Sequence, residues 1–177
     1  MTSLADKIVT IHAALDSARV PHAFGGALAL AWCTERARGT IDIDVNVFLD
    51  AAEADAVVAA LPPAVTCRAA DLDLLRRDGQ ARLWWDATPV DLFLDTTEFH
   101  RRAAGRTRSQ PFAGAEVPFL ACVDLAVFKA FFDRTKDWAD LEEMAGAGTL
   151  DVERVAAVLT TYLGADDPRI DRLRTLG

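Results

Sequence analysis

The chain has 177 residues, of which 51% are hydrophobic, enough for the core of one domain or of a domain with a small helical appendage. Its 27 acidic residues outnumber its 19 Lys and Arg residues, and the resulting net charge of −8 argues against broad electrostatic binding to nucleic acid. The longest stretch without a charged residue, 23–34, is too short to span a bilayer, so we expect no membrane association.

The three cysteines, Cys33, Cys67 and Cys122, are far apart in the sequence and lie among apolar residues. An odd number at such spacing predicts buried free thiols and disfavours a disulfide framework or a zinc site. The N-terminus carries Asp6 and Lys7 and lacks the charged-then-apolar layout of a signal peptide. These features together predict a cytoplasmic protein in a reducing compartment.

The predicted elements alternate between helix and strand in the first two thirds of the chain. In order, we predict a helix capped by Ser3, a strand at 20–24, a helix at 27–34, a strand at 41–47, a helix from Asp50 to Pro62, strands at 65–69, 81–85 and 90–94, a short helix at 98–103 and a loop at 105–114. The strands at 81–85 and 90–94 suit an antiparallel hairpin. Helices are then predicted at 121–135, 137–145, 151–163 and 168–173.

This order indicates an α+β protein in which a small mixed β-sheet is flanked by helices. We expect residues 1–120 to form this core and residues 121–177 to form a helical C-terminal half that packs on it.

The strand at 41–47 alternates apolar and polar residues, so Asp42, Asp44 and Asn46 are predicted to share one face. Two carboxylates at this spacing repel each other unless a cation lies between them or one is protonated. A shared Mg²⁺ ion would remove the repulsion, because it prefers carboxylate oxygens. An ordinary solvated strand face is the alternative, although Asp is disfavoured in strands.

Two further features complete a candidate site. Gly25 and Gly26 lie between a predicted strand and a predicted helix, where glycine lets the backbone approach a phosphate and helix N–H groups bind anions. Asp91 is placed by its own strand on the face opposite the core. We expect the glycine turn and the carboxylates to meet at one edge of the sheet.

These motifs resemble the nucleotidyltransferase fold family, the polymerase-β superfamily, in which a Gly-Gly or Gly-Ser turn precedes an Asp-x-Asp strand and a later lone Asp. The segment Arg38-x-Thr40-x-Asp42-Ile43-Asp44, with Lys129 and a later Arg-Thr-Lys-Asp segment ending at Asp137, is similar to the AbiEii-type toxin nucleotidyltransferases. The Gly-Gly turn before an Ala/Leu-rich helix also resembles the aminoglycoside and lincosamide nucleotidyltransferases.

The resemblance implies that Asp42, Asp44 and Asp91 are catalytic and hold two Mg²⁺ ions, with Asp91 as the base for the acceptor. The implied nucleotide-binding residues are Gly25, Gly26, Arg38, Thr40, Lys129 and Asp137. Lys129 could instead be a snorkelling lysine on an amphipathic helix, Asp137 a helix cap, and Arg38 a partner of a carboxylate.

The implied reaction transfers a nucleoside monophosphate from an NTP to an acceptor hydroxyl and releases pyrophosphate. The AbiEii branch implies a toxin of a toxin–antitoxin or phage-defence pair, with tRNA as a candidate acceptor, contacted by the arginines between Arg101 and Arg108, and an antitoxin as a candidate partner. The acidic net charge suits a polycationic aminoglycoside acceptor better. A non-catalytic, antitoxin-like member of the fold is the third hypothesis. Trp32, Trp84 and Trp85 could stack on a ring substrate or belong to the core.

Overall fold

The computed structural model describes residues 2–37 and 39–177, so Arg38, a predicted nucleotide contact, lies outside the described residues. The chain divides into two compact units. The first comprises the residues up to Leu28 together with Gly39–Leu120. The second comprises the short stretch that begins at Ala29 together with Ala121–Gly177.

The first unit is built on a mixed sheet, which confirms the predicted fold class. The described residues form seven strands in the spatial order β3-β4-β5-β2-β1-β7-β6. Their bounds are β1 (His22–Phe24), β2 (Ile43–Asp50), β3 (Val65–Thr66), β4 (Gln80–Trp85), β5 (Thr88–Asp95), β6 (Arg108–Phe112) and β7 (Ala115–Phe119). Strand β2 is parallel to β5 and antiparallel to β1, and β4 and β5 form the predicted antiparallel hairpin.

Helices accompany this sheet. Their bounds are α1 (Leu4–Ser17), α3 (Ala54–Ala60), α4 (Ala69–Asp78) and α5 (Glu98–Ala103), while α2 (Gly26–Thr34) begins in the first unit and ends in the second. Helix α1 begins as predicted, because the Ser3 side chain accepts the N–H of Asp6 and the Asp6 carboxylate accepts the N–H of Ser3. Its Lys7 ammonium is buried and donates to the carbonyl of Trp85 at 2.9 Å, which ties the helix to the β4–β5 hairpin.

Two predictions for the first unit were wrong. The loop predicted at 105–114 contains β6, which forms a hairpin with β7. Pro111 obscured this strand in the sequence, yet β6 is the last strand of the sheet and an edge strand tolerates proline. The strand predicted at 65–69 ends at Thr66, and the unpredicted helix α4 follows, with the Asp71 carboxylate accepting the N–H of Arg68 at its start.

The second unit is helical. It contains the end of α2 together with α6 (Cys122–Phe132), α7 (Thr135–Gly146), α8 (Val152–Leu163) and α9 (Pro168–Arg174). Its buried side chains follow the helical spacing of the sequence and include Leu125, Trp138, Leu141, Met144, Val155, Leu159, Ile170 and Leu173. In the described residues of both units, none of the helices combines the length and the apolar character needed to cross a bilayer.

The prediction of three free thiols was wrong. Cys33, near the end of α2, and Cys122, at the start of α6, form a disulfide, and Cys67 is the free cysteine among the described residues. The two partners are 89 positions apart in the sequence, and the fold brings their Cα atoms to 5.6 Å. Sequence spacing carries no information on such a long-range approach. The prediction of a reducing compartment loses its main support, because disulfides are rare in such compartments.

Candidate active site

Strand β2 supplies the first carboxylates of the site. Its apolar residues Ile43, Val45 and Val47 are fully buried, and Asp44 between them projects from the other face with part of its surface exposed. Asp42 lies directly before the strand. Ile41, predicted on the buried face, is instead 80% exposed, because the strand begins two residues later than predicted.

Thr40 orients Asp42. The Thr40 hydroxyl donates a hydrogen bond to Oδ1 of Asp42 at 2.7 Å, and the backbone N–H of Asp42 donates to the Thr40 hydroxyl oxygen at 3.3 Å. The turn that these bonds form holds the carboxylate at the start of β2. Thr40 therefore acts through Asp42 in this structure, and its predicted contact with nucleotide stays a prediction.

Asp91 lies beside Asp44 on the neighbouring strand. Strands β2 and β5 are parallel, and Asp44 and Asp91 are paired residues in their register. Neighbouring strands are about 4.8 Å apart, and paired residues point to the same face, so these two side chains are adjacent. The sheet thus assembles carboxylates that are 47 positions apart in the sequence on one face of the protein.

The glycine turn packs directly against Asp44. The N–H of Gly25 donates to the Asp44 carbonyl at 3.0 Å, and a Cβ at Gly25 would lie only 2.7 Å from Nδ2 of Asn46. Gly26 has φ +53°, and a Cβ there would overlap the Asp44 carboxylate. Since α2 begins at Gly26, the N-terminal end of a helix, with its electropositive N–H groups, lies beside Asp44. The expected meeting of the glycine turn and the carboxylate strand is found.

Arg82, which the sequence motifs do not single out, brings a positive charge to the site. It is the register partner of Asp91 across the β4–β5 hairpin and binds that carboxylate through two bonds, Nε to Oδ1 and Nη2 to Oδ2, both 2.7 Å long. Nη2 also lies 3.9 Å from Oδ2 of Asp42. The bond to Asp91 raises the pKa of Arg82, and the charges of Asp42 and Asp44 raise it further. The alternation of residues 81–85 together with the predicted hairpin was the signal that could have found it.

The donor set fits a divalent cation in its chemistry. Three carboxylates on one face, oriented by a threonine and by strand register, are the hard oxygen ligands that Mg²⁺ selects. In their present arrangement, however, no three His, Cys, Asp or Glu side chains within the described residues are grouped closely enough to hold a metal ion. The Arg82 guanidinium lies between Asp42 and Asp91. Asp42, Asp44 and Asp91 are the residues that could hold a divalent cation here.

Lys129 and Asp137 belong to the second unit and form a buried ionic cluster there. The Lys129 ammonium donates to Asp140 at 2.6 Å and lies 3.9 Å from Asp137, and all three side chains are buried. Arg134 binds Asp137 with its guanidinium, at 2.6 Å from Nε, and the Asp137 carboxylate accepts the N–H of Arg134 at the start of α7. Asp137 thus caps a helix, one of the two roles open to it. The nucleotide contacts predicted for Lys129 and Asp137 remain predictions.

The adjacent tryptophans of β4 have different surroundings. Trp85 is 7% exposed and belongs to the core, with the Lys7 ammonium 5.7 Å from its ring centre. Trp84 is 37% exposed and shares the outward face of β4 with Arg82. An exposed indole on the carboxylate face is a surface on which a planar group can stack.

Comparison of the whole fold with solved structures places it among known proteins. Neither a family model nor a curated protein matches the chain. The fold is similar to the solution structure of the antibiotic-resistance factor ANT(2'')-Ia, with a TM-score of 0.60 and 16% identity over 98% of this chain and 97% of that one.

A crystal structure of ANT(2'')-Ia in complex with adenylyl-2''-tobramycin matches equally, with a TM-score of 0.60 and 16% identity over 97% of both chains. An antigenic nucleotidyltransferase-like protein from Paracoccidioides brasiliensis is more distant, at a TM-score of 0.49 and 13% identity over 98% of this chain and 94% of that one. The two matches to ANT(2'')-Ia extend over nearly the full length of the chain. The chain has the nucleotidyltransferase fold.

Proposed function

We propose that this protein is a Mg²⁺-dependent nucleotidyltransferase, which moves a nucleoside monophosphate from an NTP to an acceptor hydroxyl and releases pyrophosphate. One observation carries the proposal: Gly26 lies against Asp44, which is the register partner of Asp91. A structural protein has no need to place a helix N-terminus and paired carboxylates at one point of a sheet, whereas a phosphate-transfer site needs both.

The chain supplies binding, orientation and proton transfer. Asp42, Asp44 and Asp91 would hold two Mg²⁺ ions, which would supply positive charge to neutralise the triphosphate. The acceptor oxygen forms a bond to the α-phosphorus, and the bond from that phosphorus to the bridging oxygen of pyrophosphate breaks. Asp91 accepts the proton of the acceptor hydroxyl. The N–H groups at the start of α2 bind phosphate oxygens.

Substitution of the carboxylates tests this proposal. We expect Asp42→Asn and Asp91→Asn to lower the transfer of label from α-³²P-labelled NTPs by about a hundredfold or more, because each removes a ligand charge worth several kcal/mol in the transition state. Asp73→Asn, an exposed carboxylate on α4 that pairs with Arg76, is the matched control and should retain full activity. Undiminished transfer by Asp91→Asn would contradict the mechanism.

For the acceptor, we propose a polycationic small molecule of the aminoglycoside type. The net charge of −8 attracts a polycation and repels RNA, and ANT(2'')-Ia, which shares the fold, has been crystallised with an adenylylated tobramycin. The exposed Trp84 beside Arg82 offers a surface for a ring on the carboxylate face.

The toxin hypothesis, with tRNA as acceptor and an antitoxin as partner, depends on the motif resemblance. The arginines expected to contact tRNA are partly neutralised within their own segment: Arg101 binds Asp95 and Glu98, and Arg102 binds Glu98. This pairing lowers the net positive charge that the segment presents to a phosphate backbone.

The acceptor test uses one labelled NTP at a time against aminoglycosides, total tRNA and protein substrates in parallel. We expect label on an aminoglycoside, with a KM that rises with salt because the attraction is electrostatic. Label on tRNA alone would replace this acceptor by that of the toxin hypothesis. Transfer to none of them, with no carboxylate-dependent binding of NTP, would favour a non-catalytic member of the fold.

A further inference from the structure

Arg82 occupies a position that a catalytic role for the carboxylates leaves unexplained. It lies opposite Asp91 in the β4–β5 register, so the two Cβ atoms are about 5 Å apart and the side chains point to the same face. The two-pronged bond to Asp91 takes up both carboxylate oxygens with a guanidinium, and these are the oxygens that a metal ion would need.

The charge of Arg82 acts on more than one of the three aspartates Asp42, Asp44 and Asp91. Nη2 is 2.7 Å from Oδ2 of Asp91 and 3.9 Å from Oδ2 of Asp42, so one guanidinium nitrogen lies between two of the three proposed metal ligands. Three carboxylates held on one face without a cation would repel each other strongly. The positive charge of Arg82 offsets part of that repulsion at Asp42 and Asp91.

The ion pair between Arg82 and Asp91 can also be separated. The Arg82 side chain is 51% exposed, while the Asp91 carboxylate is 17% exposed, so the guanidinium is the partner with room to move. Exposed ion pairs are weak because water and salt screen them. A divalent cation carries twice the charge and can displace the guanidinium, which would then be free to bind an anion nearby.

We propose that Arg82 is a built-in counter-ion that holds the place of the metal and couples metal binding to nucleotide binding. The proposal rests on the proposed function. A divalent cation alone must displace Arg82 from Asp91, which weakens its binding. A nucleotide supplies phosphate oxygens that accept the released guanidinium, so each ligand strengthens the binding of the other. In this scheme Arg82 acts on the metal through Asp91 and contacts the nucleotide directly.

The test measures Mn²⁺ affinity directly, by the electron paramagnetic resonance of free Mn²⁺, with and without α,β-methylene analogues of the ribonucleoside triphosphates. Without nucleotide, Arg82→Gln should bind Mn²⁺ about fivefold or more tightly than wild type, because the competing cation is gone. The analogue should raise the Mn²⁺ affinity of both proteins, because the metal would also contact the phosphates, but by a clearly larger factor in wild type than in Arg82→Gln. Arg82→Lys keeps the charge but lacks the planar guanidinium, so its Mn²⁺ affinity should lie between those of wild type and Arg82→Gln.

Arg76→Gln is the matched control. Arg76 is 47% exposed and binds Asp55 through a similar two-pronged ion pair between α4 and α3. Neither helix carries Asp42, Asp44 or Asp91. Its replacement should leave Mn²⁺ affinity and nucleotide coupling unchanged. A merely structural role for Arg82 would lower thermal stability and leave both measurements unchanged, as in the control.

Asp42→Asn separates failure of this inference from failure of the proposed function. If Asp42→Asn abolishes Mn²⁺ binding while Arg82→Gln binds as wild type does, the counter-ion role is overturned and the nucleotidyltransferase proposal stands. If Mn²⁺ binding is insensitive to Asp42→Asn in the presence of nucleotide, the proposed function fails, and the role of Arg82 fails with it.

Discussion

At the scale of single residues, the site depends on the absence of a Cβ atom at Gly26. Its backbone has φ +53°, which residues with a Cβ atom adopt at a cost of about 1–2 kcal/mol, and a side chain would overlap the Asp44 carboxylate. The same missing atom thus permits the turn into α2 and brings the helix N-terminus against the carboxylate. A serine at this position would have to shift Asp44.

Gly26→Ala should therefore lower the free energy of unfolding by about 1 kcal/mol or more and reduce transfer activity, because both the turn and Asp44 must move. Urea unfolding and the labelled-NTP assay measure the two effects. Gly105→Ala is the control: Gly105 has no positive φ and nothing lies within 4 Å of the position that a Cβ would take, so its stability should stay within about 0.5 kcal/mol of wild type. Equal behaviour of the two variants would contradict this account of the turn.

At the scale of elements, a pair of histidines joins α1 to β1. Nδ1 of His22 lies 2.8 Å from the carbonyl of Val20, so this nitrogen carries a proton and donates. Nε2 of the neutral ring is then an acceptor, and it lies 2.9 Å from Nδ1 of His12, which donates to it. Protonation of Nε2 of His22 would set this donor against Nδ1 of His12.

Burial is the main cause that lowers the pKa of His22, and the nearby His12 lowers it further, while Val20 and Asp16 act in the opposite direction. Because the folded state holds its proton less tightly than the unfolded state, the stability that His22 contributes is complete above the ordinary pKa of about 6.5 and is lost as the pH falls below it. We expect the free energy of unfolding to drop between about pH 7.5 and about pH 5.5, by at most about 1.4 kcal/mol per pH unit for this one proton.

The variant His22→Gln should have a shallower dependence on pH than wild type when urea unfolding is measured across that window. It should keep a residual slope, because burial also lowers the pKa of His100, which lies on α5. An unchanged slope in His22→Gln would show that the His12–His22 pair contributes nothing to the pH dependence.

At the scale of the whole molecule, the Cys33–Cys122 disulfide closes a loop between positions 89 apart. Disulfides typically contribute about 2–4 kcal/mol to stability, chiefly by restricting the unfolded chain, and the long loop closed here favours the upper end of that range. Reduction should lower the free energy of unfolding by about that amount, as followed by far-UV circular dichroism in urea with and without a phosphine reductant.

Cys67→Ser is the control for this reduction, because it removes the free thiol and keeps the disulfide. It should respond to reductant as wild type does, whereas Cys33→Ser should not respond. Titration of thiols in denaturant without reductant should find Cys67 alone. Three titrating thiols in freshly purified protein would show that the disulfide does not form.

Much of the fold could be predicted because local patterns carried it. The capped helix α1, the β4–β5 hairpin and the helices after residue 120 have hydrophobic spacing that tertiary contacts do not override. Strands β6 and β7 and helix α4 escaped prediction. Proline in β6 is acceptable because that strand is at the sheet edge, and edge position is a property of the assembled sheet.

The residues of the candidate site also divide into those that the sequence predicted and those that only the tertiary structure brought together. Short-range spacing was sufficient to propose Gly25, Gly26, Asp42 and Asp44, because only one helix and a short connecting segment separate the glycines from the aspartates in the sequence. Asp91 could be proposed from its own strand, but its pairing with Asp44 depends on β5 lying parallel to β2. Arg82 was not assigned a role, although the predicted hairpin carried a signal for it, because its function depends on the exact register that places its guanidinium opposite Asp91.

By itself, then, the sequence determined the types of residue at the site and most of the secondary structure, because these follow from composition and short-range periodicity. The reaction class came from the family that its motifs resemble. The tertiary structure decided which charges and thiols meet: Arg82 with Asp91, Lys129 with Asp140, and Cys33 with Cys122. These partners are between 9 and 89 positions apart. Register and helix packing bring them together, and no local pattern in the chain encodes either.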